Sequence, residues 1–167
     1  IAAEGMRLVK NWLPTAVRDG KNIDARAHMM VAASMGATAF QKGLGAIHAL
    51  SHPIGAVYDT HHGLTNAVVM PYVLVFNRSA IEQKLTRLAA WLGLPNPSFQ
   101  SVLDWIQALR RDIGIPHTLA ELGVNKDRLD ELSVMAANDP TAGGNPIPIG
   151  ANECRSLFIA CIDGKLG

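Results

Sequence analysis

Residues Gly43-Leu-Gly-Ala-Ile-His-Ala-Leu-Ser-His-Pro-Ile-Gly-Ala-Val-Tyr-Asp-Thr-His-His-Gly63 hold four of the six histidines of the chain, His48, His52, His61 and His62. The side chains around them are small or apolar, and Asp59 is the only charged one. Imidazole is the commonest metal ligand among side chains and the usual acid or base near neutral pH. His48 and His52 are four residues apart, so on a helix they share one face. His48 and His62 are fourteen apart, about 21 Å of rise on one unbroken helix. Two imidazole nitrogens on one metal each lie about 2.0–2.1 Å from it. A shared ion therefore requires the helix to end and the chain to fold back. Asp59-Thr60 provides for this, with Thr60 as N-cap of a following helix and His61-His62 in its first turn. There the helix dipole disfavours imidazolium and favours the neutral form a metal needs. A spacing of fourteen is not a recognised short motif, so spacing alone leaves a structural role for these histidines open.

Outward from this stretch the pattern is helical. Ala2 to Val17 has apolar positions Met6, Val9, Leu13 and Val17 at spacings of three to four, with Pro14 expected to bend or end the helix. Asn22 caps a long helix from Ile23 to Gln41. Its run of small residues predicts close packing and a central place, with Met29, Met30 and Met35 as core packing. Gly43 and Gly45 mark a break or a close backbone approach, and Pro53 is expected to kink the helix at the histidines. Gly63 to Asn77 forms a further helix with Pro71 inside it. Ser79 to Leu92 is amphipathic, with Ile81, Leu85, Leu88, Ala89 and Leu92 facing inward. Ser98 caps Phe99 to Ile113, whose inner face is Val102, Trp105, Ile106 and Leu109. Thr118 to Leu122 is a short helical turn. Asn125 caps Lys126 to Asn138, Asp139 to Gly150 is a Pro/Gly-rich loop, and Ala151 to Ile162 is the last helix. No segment alternates with period two for a convincing length and no repeat appears. The fold class read from this pattern is all-α, a multi-helix bundle.

Bulk properties narrow the function. The 167 residues suit one domain, 1–167. A net charge of +1 gives no electrostatic footprint for nucleic acid or an anionic membrane. No apolar run reaches the roughly 18 residues of a membrane span, and no signal peptide is visible. Cys154 and Cys161 sit about 10 Å apart along one predicted helix, too far for a disulfide, and read as buried thiols in a reducing, cytoplasmic compartment. The chain opens at Ile1 without Met, as a fragment does.

Gly43-Leu-Gly-Ala-Ile-His48-Ala-Leu-Ser-His52-Pro-Ile-Gly55, followed by Tyr58-Asp-Thr-His-His62-Gly63, resembles the signature of the iron-dependent (group III) alcohol dehydrogenases. The resemblance continues through Asn66-Ala67, Met70-Pro71-Tyr72 and Phe76-Asn77 and returns in Asp139-Pro-Thr-Ala-Gly-Gly-Asn-Pro146. It covers the whole chain, which is similar to the C-terminal helical domain of that family, in the dehydroquinate synthase-like fold. The resemblance implies that His48 and His62 bind a divalent metal, Fe2+ or alternatively Zn2+, since imidazole accepts both. It implies that His52 lies near the nicotinamide and assists proton transfer. The loop with Thr141 and Asn145 is expected to line the substrate cleft, with a plain connector as the alternative.

Two histidines fall short of the three or more protein ligands of a catalytic site. In the family an Asp and a His four residues later complete the set, upstream of this chain. Asp24 and His28 have that spacing but stand too close to His48 and read as surface residues, as His117 reads as structural. His61 replaces a family proline and is expected to face solvent. No glycine-rich phosphate loop follows a strand, so NAD or NADP is expected to bind a nucleotide-binding domain upstream. The resemblance thus implies an oxidoreductase acting on a small alcohol or aldehyde, as a homo-oligomer such as a dimer, with the fragment alone inactive. The alternatives are a sister reductase of maleylacetate or lactaldehyde, or a non-catalytic helical interaction module with structural histidines.

Overall fold

Eight α-helices and three short 3-10 turns make up the regular structure of residues 1–166, which the computed structural model describes, and no strand occurs among them. The helices are α1 (Ala2–Arg18), α2 (Ile23–Ala39), α3 (Ala46–Tyr58), α4 (His62–Phe76), α5 (Arg78–Trp91), α6 (Phe99–Asp112), α7 (Leu129–Ala137) and α8 (Ala151–Asp163). The fold is all-α, as the helical periodicity implies. None of these helices is long and apolar enough to cross a membrane. The sequence points to one helical domain; the described residues group into two compact units, one of residues 1–42 and 82–113, the other of residues 43–81 and 114–167.

The second unit is built on α3, α4, α7 and α8. Their buried apolar positions recur at helical spacing: Ala46, Leu50 and Ile54 on α3, and Val68, Val69, Tyr72 and Val73 on α4. Leu129, Leu132 and Ala136 on α7 join Cys154, Leu157, Phe158, Cys161 and Ile162 on α8. Each fully buried large side chain contributes about 1.5–3 kcal/mol from removal of apolar surface from water. Pro53 and Pro71 lie inside α3 and α4 without ending either helix. Both cysteines are free and buried, and burial pushes the Cys154 thiol up to about 11, which keeps it in its unreactive form.

The first unit contains α1, α2, most of α5, and α6. Asn22 caps α2 as expected, its Oδ1 accepting from the Ala25 amide at 2.9 Å. Ser98 caps α6 in a reciprocal capping box with Ser101. Ala89, Leu92, Leu94 and Val102 form a small core with Leu85, Leu88, Trp105 and Ile106 packed on it. α1 approaches α2 closely at Gly5, where a Cβ would stand 3.3 Å from Met35 Cβ.

Several local expectations are corrected. Pro14 does not end α1, which continues to Arg18. α2 is not buried all round: only Ala25 and Ala32 are buried, and Met30 is 73% exposed. Its small and apolar residues are spread over every side, so no single stripe selects the packed face; Met29 and Met35 are half-buried, and none of the three methionines is fully buried. α7 begins at Leu129 rather than Lys126, because the Asn125 Oδ1 accepts from the Asp127 amide at 3.0 Å and makes a side-chain turn in place of a helix cap.

Candidate metal centre

The histidine stretch folds as a helix, a reversal and a second helix. α3 starts where Gly43, at φ 118°, and Gly45 bring the chain against the loop after α7. A Cβ on Gly45 would stand 3.0 Å from Asn145 Oδ1, and one on Gly144 would lie only 2.0 Å from the Leu44 carbonyl oxygen. Glycine is required at residue 144 by this backbone contact. Asn145 then closes the junction. Its Oδ1 accepts from the Ala46 amide at 3.1 Å, the first amide of α3, and from Asn77 Nδ2 at 2.9 Å. Its Nδ2 donates to Asn77 Oδ1 at 2.8 Å and to the Ile147 carbonyl at 2.7 Å.

α3 ends at Asp59, which adopts the left-handed conformation at φ 54° and returns its amide to the Gly55 carbonyl. Thr60 is not the cap of α4. That place is taken by His61, whose Nδ1 accepts from the Leu64 amide at 3.2 Å. Thr60 Oγ1 instead accepts from the buried Thr65 hydroxyl at 2.8 Å. The shift by one residue leaves the reversal intact and puts His62 at the first position of α4. His61 is exposed, in line with the sequence reading, and its ring is occupied with the helix end.

This reversal brings His48, His52 and His62 together. Ring centroids are 5.3 Å apart for His48 and His62, 5.4 Å for His52 and His62, and 5.8 Å for His48 and His52. Asn66, one turn after His62, shows how the first two point. Its Nδ2 lies 3.0 Å from His62 Nε2 and 3.4 Å from His48 Nε2. One amide nitrogen within reach of both means that the two Nε2 atoms face a common spot. With Nδ2 as donor both are acceptors, the unprotonated state in which imidazole binds a cation. Burial, then the neighbouring His62 and His52, holds His48 below its ordinary value and favours the same neutral form. Asn66 Oδ1 is buried beside these rings without a hydrogen-bond partner. The donor set and the orphaned oxygen fit a divalent cation held by two imidazoles. No group of three or more His, Cys, Asp or Glu side chains is arranged to hold a metal ion among the described residues, so an ion on His48 and His62 would need further ligands.

His52 is placed differently. Its side chain is 41% exposed, and its Nδ1 lies 2.8 Å from Asp139 Oδ2. Asp139 Oδ1 accepts from the Thr141 amide at 2.8 Å and the Thr141 hydroxyl at 2.5 Å. Burial acts to raise the Asp139 carboxyl, but hydrogen bonds from Thr141 and His52 outweigh it and hold the group below its ordinary value. Thr141 and Asn145 are therefore both engaged, Thr141 with Asp139 and Asn145 with the start of α3. Asp139 and Asn66 are the neighbours of the histidines that sequence reasoning left without a role. Asn66 was open to it, since spacing four from His62 puts both on one helix face. Asp139 was not, because 87 residues separate it from His52.

The remaining candidates lie elsewhere. His28 Nδ1 pairs with the Asp24 backbone carbonyl at 2.7 Å, and its ring stacks on Trp12 with centroids 4.2 Å apart. That is a structural role, and the Asp24 carboxylate takes no part in it. His117 Nε2 lies 3.2 Å from the Gly164 carbonyl oxygen.

Comparison with known proteins agrees with the geometry. Residues 1–162 match the C-terminal region of the Fe-containing alcohol dehydrogenase family. The 4-hydroxybutyrate dehydrogenase of Cupriavidus necator is 36% identical over 95% of this chain and 43% of its own length. The NAD-dependent methanol dehydrogenase of Bacillus methanolicus is 33% identical over 87% of this chain and 40% of its own length. The crystal structure of a 1,3-propanediol oxidoreductase superposes with a TM-score of 0.91 at 32% identity, over 96% of this chain and 44% of that one. The chain thus spans less than half the length of these relatives. Matched over almost all of its sequence and superposing on a solved relative, the chain belongs to the Fe-containing alcohol dehydrogenase family and corresponds to its C-terminal domain.

Proposed function

We propose that this chain is the metal- and substrate-bearing part of an NAD(P)-dependent alcohol dehydrogenase, which moves a hydride between a small alcohol or aldehyde and a nicotinamide. The observation that carries the reading is the convergence of His48 Nε2 and His62 Nε2 on the Asn66 amide. These two nitrogens would hold a divalent cation, iron or zinc. Bound there, the cation would supply Lewis-acid polarisation of the substrate oxygen. His48 and His62, fixed by α3 and the first turn of α4, would supply neutral imidazole donors to it. His52, on the same face of α3 as His48, takes the hydroxyl proton when an alcohol is oxidised and returns it when an aldehyde is reduced. Its partial exposure connects that proton to solvent. The chain spans less than half the length of its relatives, and the further ligands and a nucleotide-binding α/β domain would lie in the rest of the longer protein.

The test is metal content. In the full-length protein, His48→Ala and His62→Ala are each expected to weaken iron or zinc binding by at least about 100-fold, beyond the loss seen when a supporting neighbour of a ligand is removed. Helical content should remain that of the parent. Metal retained at parental affinity in both variants overturns the reading and leaves the histidines as structural residues of an interaction module.

A further inference from the structure

We propose that Asp139 is the positioning residue of His52, and that the loop from Asp139 to Asn145 exists to hold that carboxylate in place. Among the described residues, His52 is the one histidine of the cluster with a carboxylate partner, at 2.8 Å. The Asp139 side chain is only 12% exposed; the Thr141 amide and hydroxyl donate to its Oδ1, and its Oδ2 faces His52 Nδ1. A carboxylate held in this way accepts and does not donate. His52 Nδ1 must therefore carry a proton, and in the neutral ring Nε2 is bare. A second-nitrogen bond of this kind fixes both the tautomer and the orientation of a histidine. His52 Nε2 has no hydrogen-bond partner among the described residues, so it is left free to take a proton.

The loop is anchored for this purpose at its far end. Gly144 lies flat on the Leu44 carbonyl, and Asn145 ties the loop to the first amide of α3 and to Asn77. The same helix α3 carries His52 two turns further on. Carboxylate and imidazole are thus referred to one rigid element although 87 residues separate them. Asp139 touches no reacting atom in this scheme; it acts through His52.

The use of the bare Nε2 in catalysis rests on the dehydrogenase reading, whereas the tautomer does not, so the two can fail separately. The experiment is nitrogen-15 NMR of the full-length protein labelled at histidine, at about pH 8, above the ordinary imidazole range, with His52 assigned from the spectrum of His52→Gln. In the parent, the Nδ1–H form of His52 is expected to exceed the Nε2–H form by about tenfold, the size of a charge-assisted hydrogen bond. Asp139→Asn has a single side-chain oxygen. The Thr141 amide, an obligate donor, claims it, so the new NH2 faces His52 Nδ1 and the ratio should invert. Asp139→Glu, which keeps the charge, should restore part of the parental ratio. A parental spectrum dominated by Nε2–H overturns the proposal whether or not the variants fold. So does an Asp139→Asn spectrum identical to the parent. A loss of metal binding in His48→Ala with the parental His52 tautomer unchanged supports both proposals.

Discussion

The two units of this chain treat their apolar residues in opposite ways. Around the histidines, Leu50, Ile54, Leu132 and Phe158 are completely buried within their own unit. On α2, Ile23 and Met30 are each 73% exposed and Val31 is 47% exposed. The histidine unit closes its core with its own four helices, whereas α2 has one packed side, against α1. The difference lies in the distribution of apolar residues more than in their number. On α3 and α8 they form a stripe that a neighbouring stripe can cover. On α2 they run around the helix, and one neighbour can cover only one side.

The largest expected contrast is in stability. Phe158→Ala should cost about 3–5 kcal/mol, the transfer of a phenyl ring plus the cavity left behind. Met30→Ala should change stability by no more than about 0.5 kcal/mol, as an exposed substitution does. Urea denaturation of the two variants measures both; equal losses would break the contrast between the units. A middle-sized effect belongs to the loop behind the site. Gly144→Ala forces a methyl into the Leu44 carbonyl and should cost about 1–3 kcal/mol. Gly143→Ala, with open space at its Cβ, is the control and should be near neutral. Similar melting temperatures for these two would show that the loop yields and does not anchor α3.

The smallest effect is electrostatic. Glu121 accepts from the Thr118 amide, the Thr118 hydroxyl and the His117 amide, and these bonds hold its carboxyl below its ordinary value of 4.5. The folded form therefore binds a proton less readily than the unfolded chain. The associated stability is present above the ordinary value and is lost as pH falls through the lowered one. Urea midpoints between about pH 3 and 6 should fall with acid in the parent, and part of that slope should vanish in Glu121→Gln. An unchanged slope would show that this exposed cluster adds nothing to the well-packed unit.

The histidine reversal was largely legible before any coordinates. Spacing four put His48 and His52 on one face, a shared ion for His48 and His62 would have required a turn, and Asp59-Thr60 offered the break for it. The turn came where Asp59 stands, and the cap moved from Thr60 to His61 because an imidazole nitrogen reached the Leu64 amide while Thr60 was drawn to Thr65. Such a choice between adjacent polar residues depends on partners that local sequence does not display. The sequence places Thr141 and Asn145 on one loop near the site, but their partners, Asp139 and the start of α3, follow only from the tertiary contacts.

Sequence by itself determined that the chain is helical, the inner faces of α5 and α6, and the family, because periodicity and a long glycine–histidine signature are written along the chain. Tertiary structure alone decided that Asp139 meets His52, that Gly144 must lie on Leu44, and that α2 leaves Met30 exposed. Those outcomes follow from contacts between residues distant in the chain, where burial and hydrogen-bond satisfaction are settled only once the helices have packed.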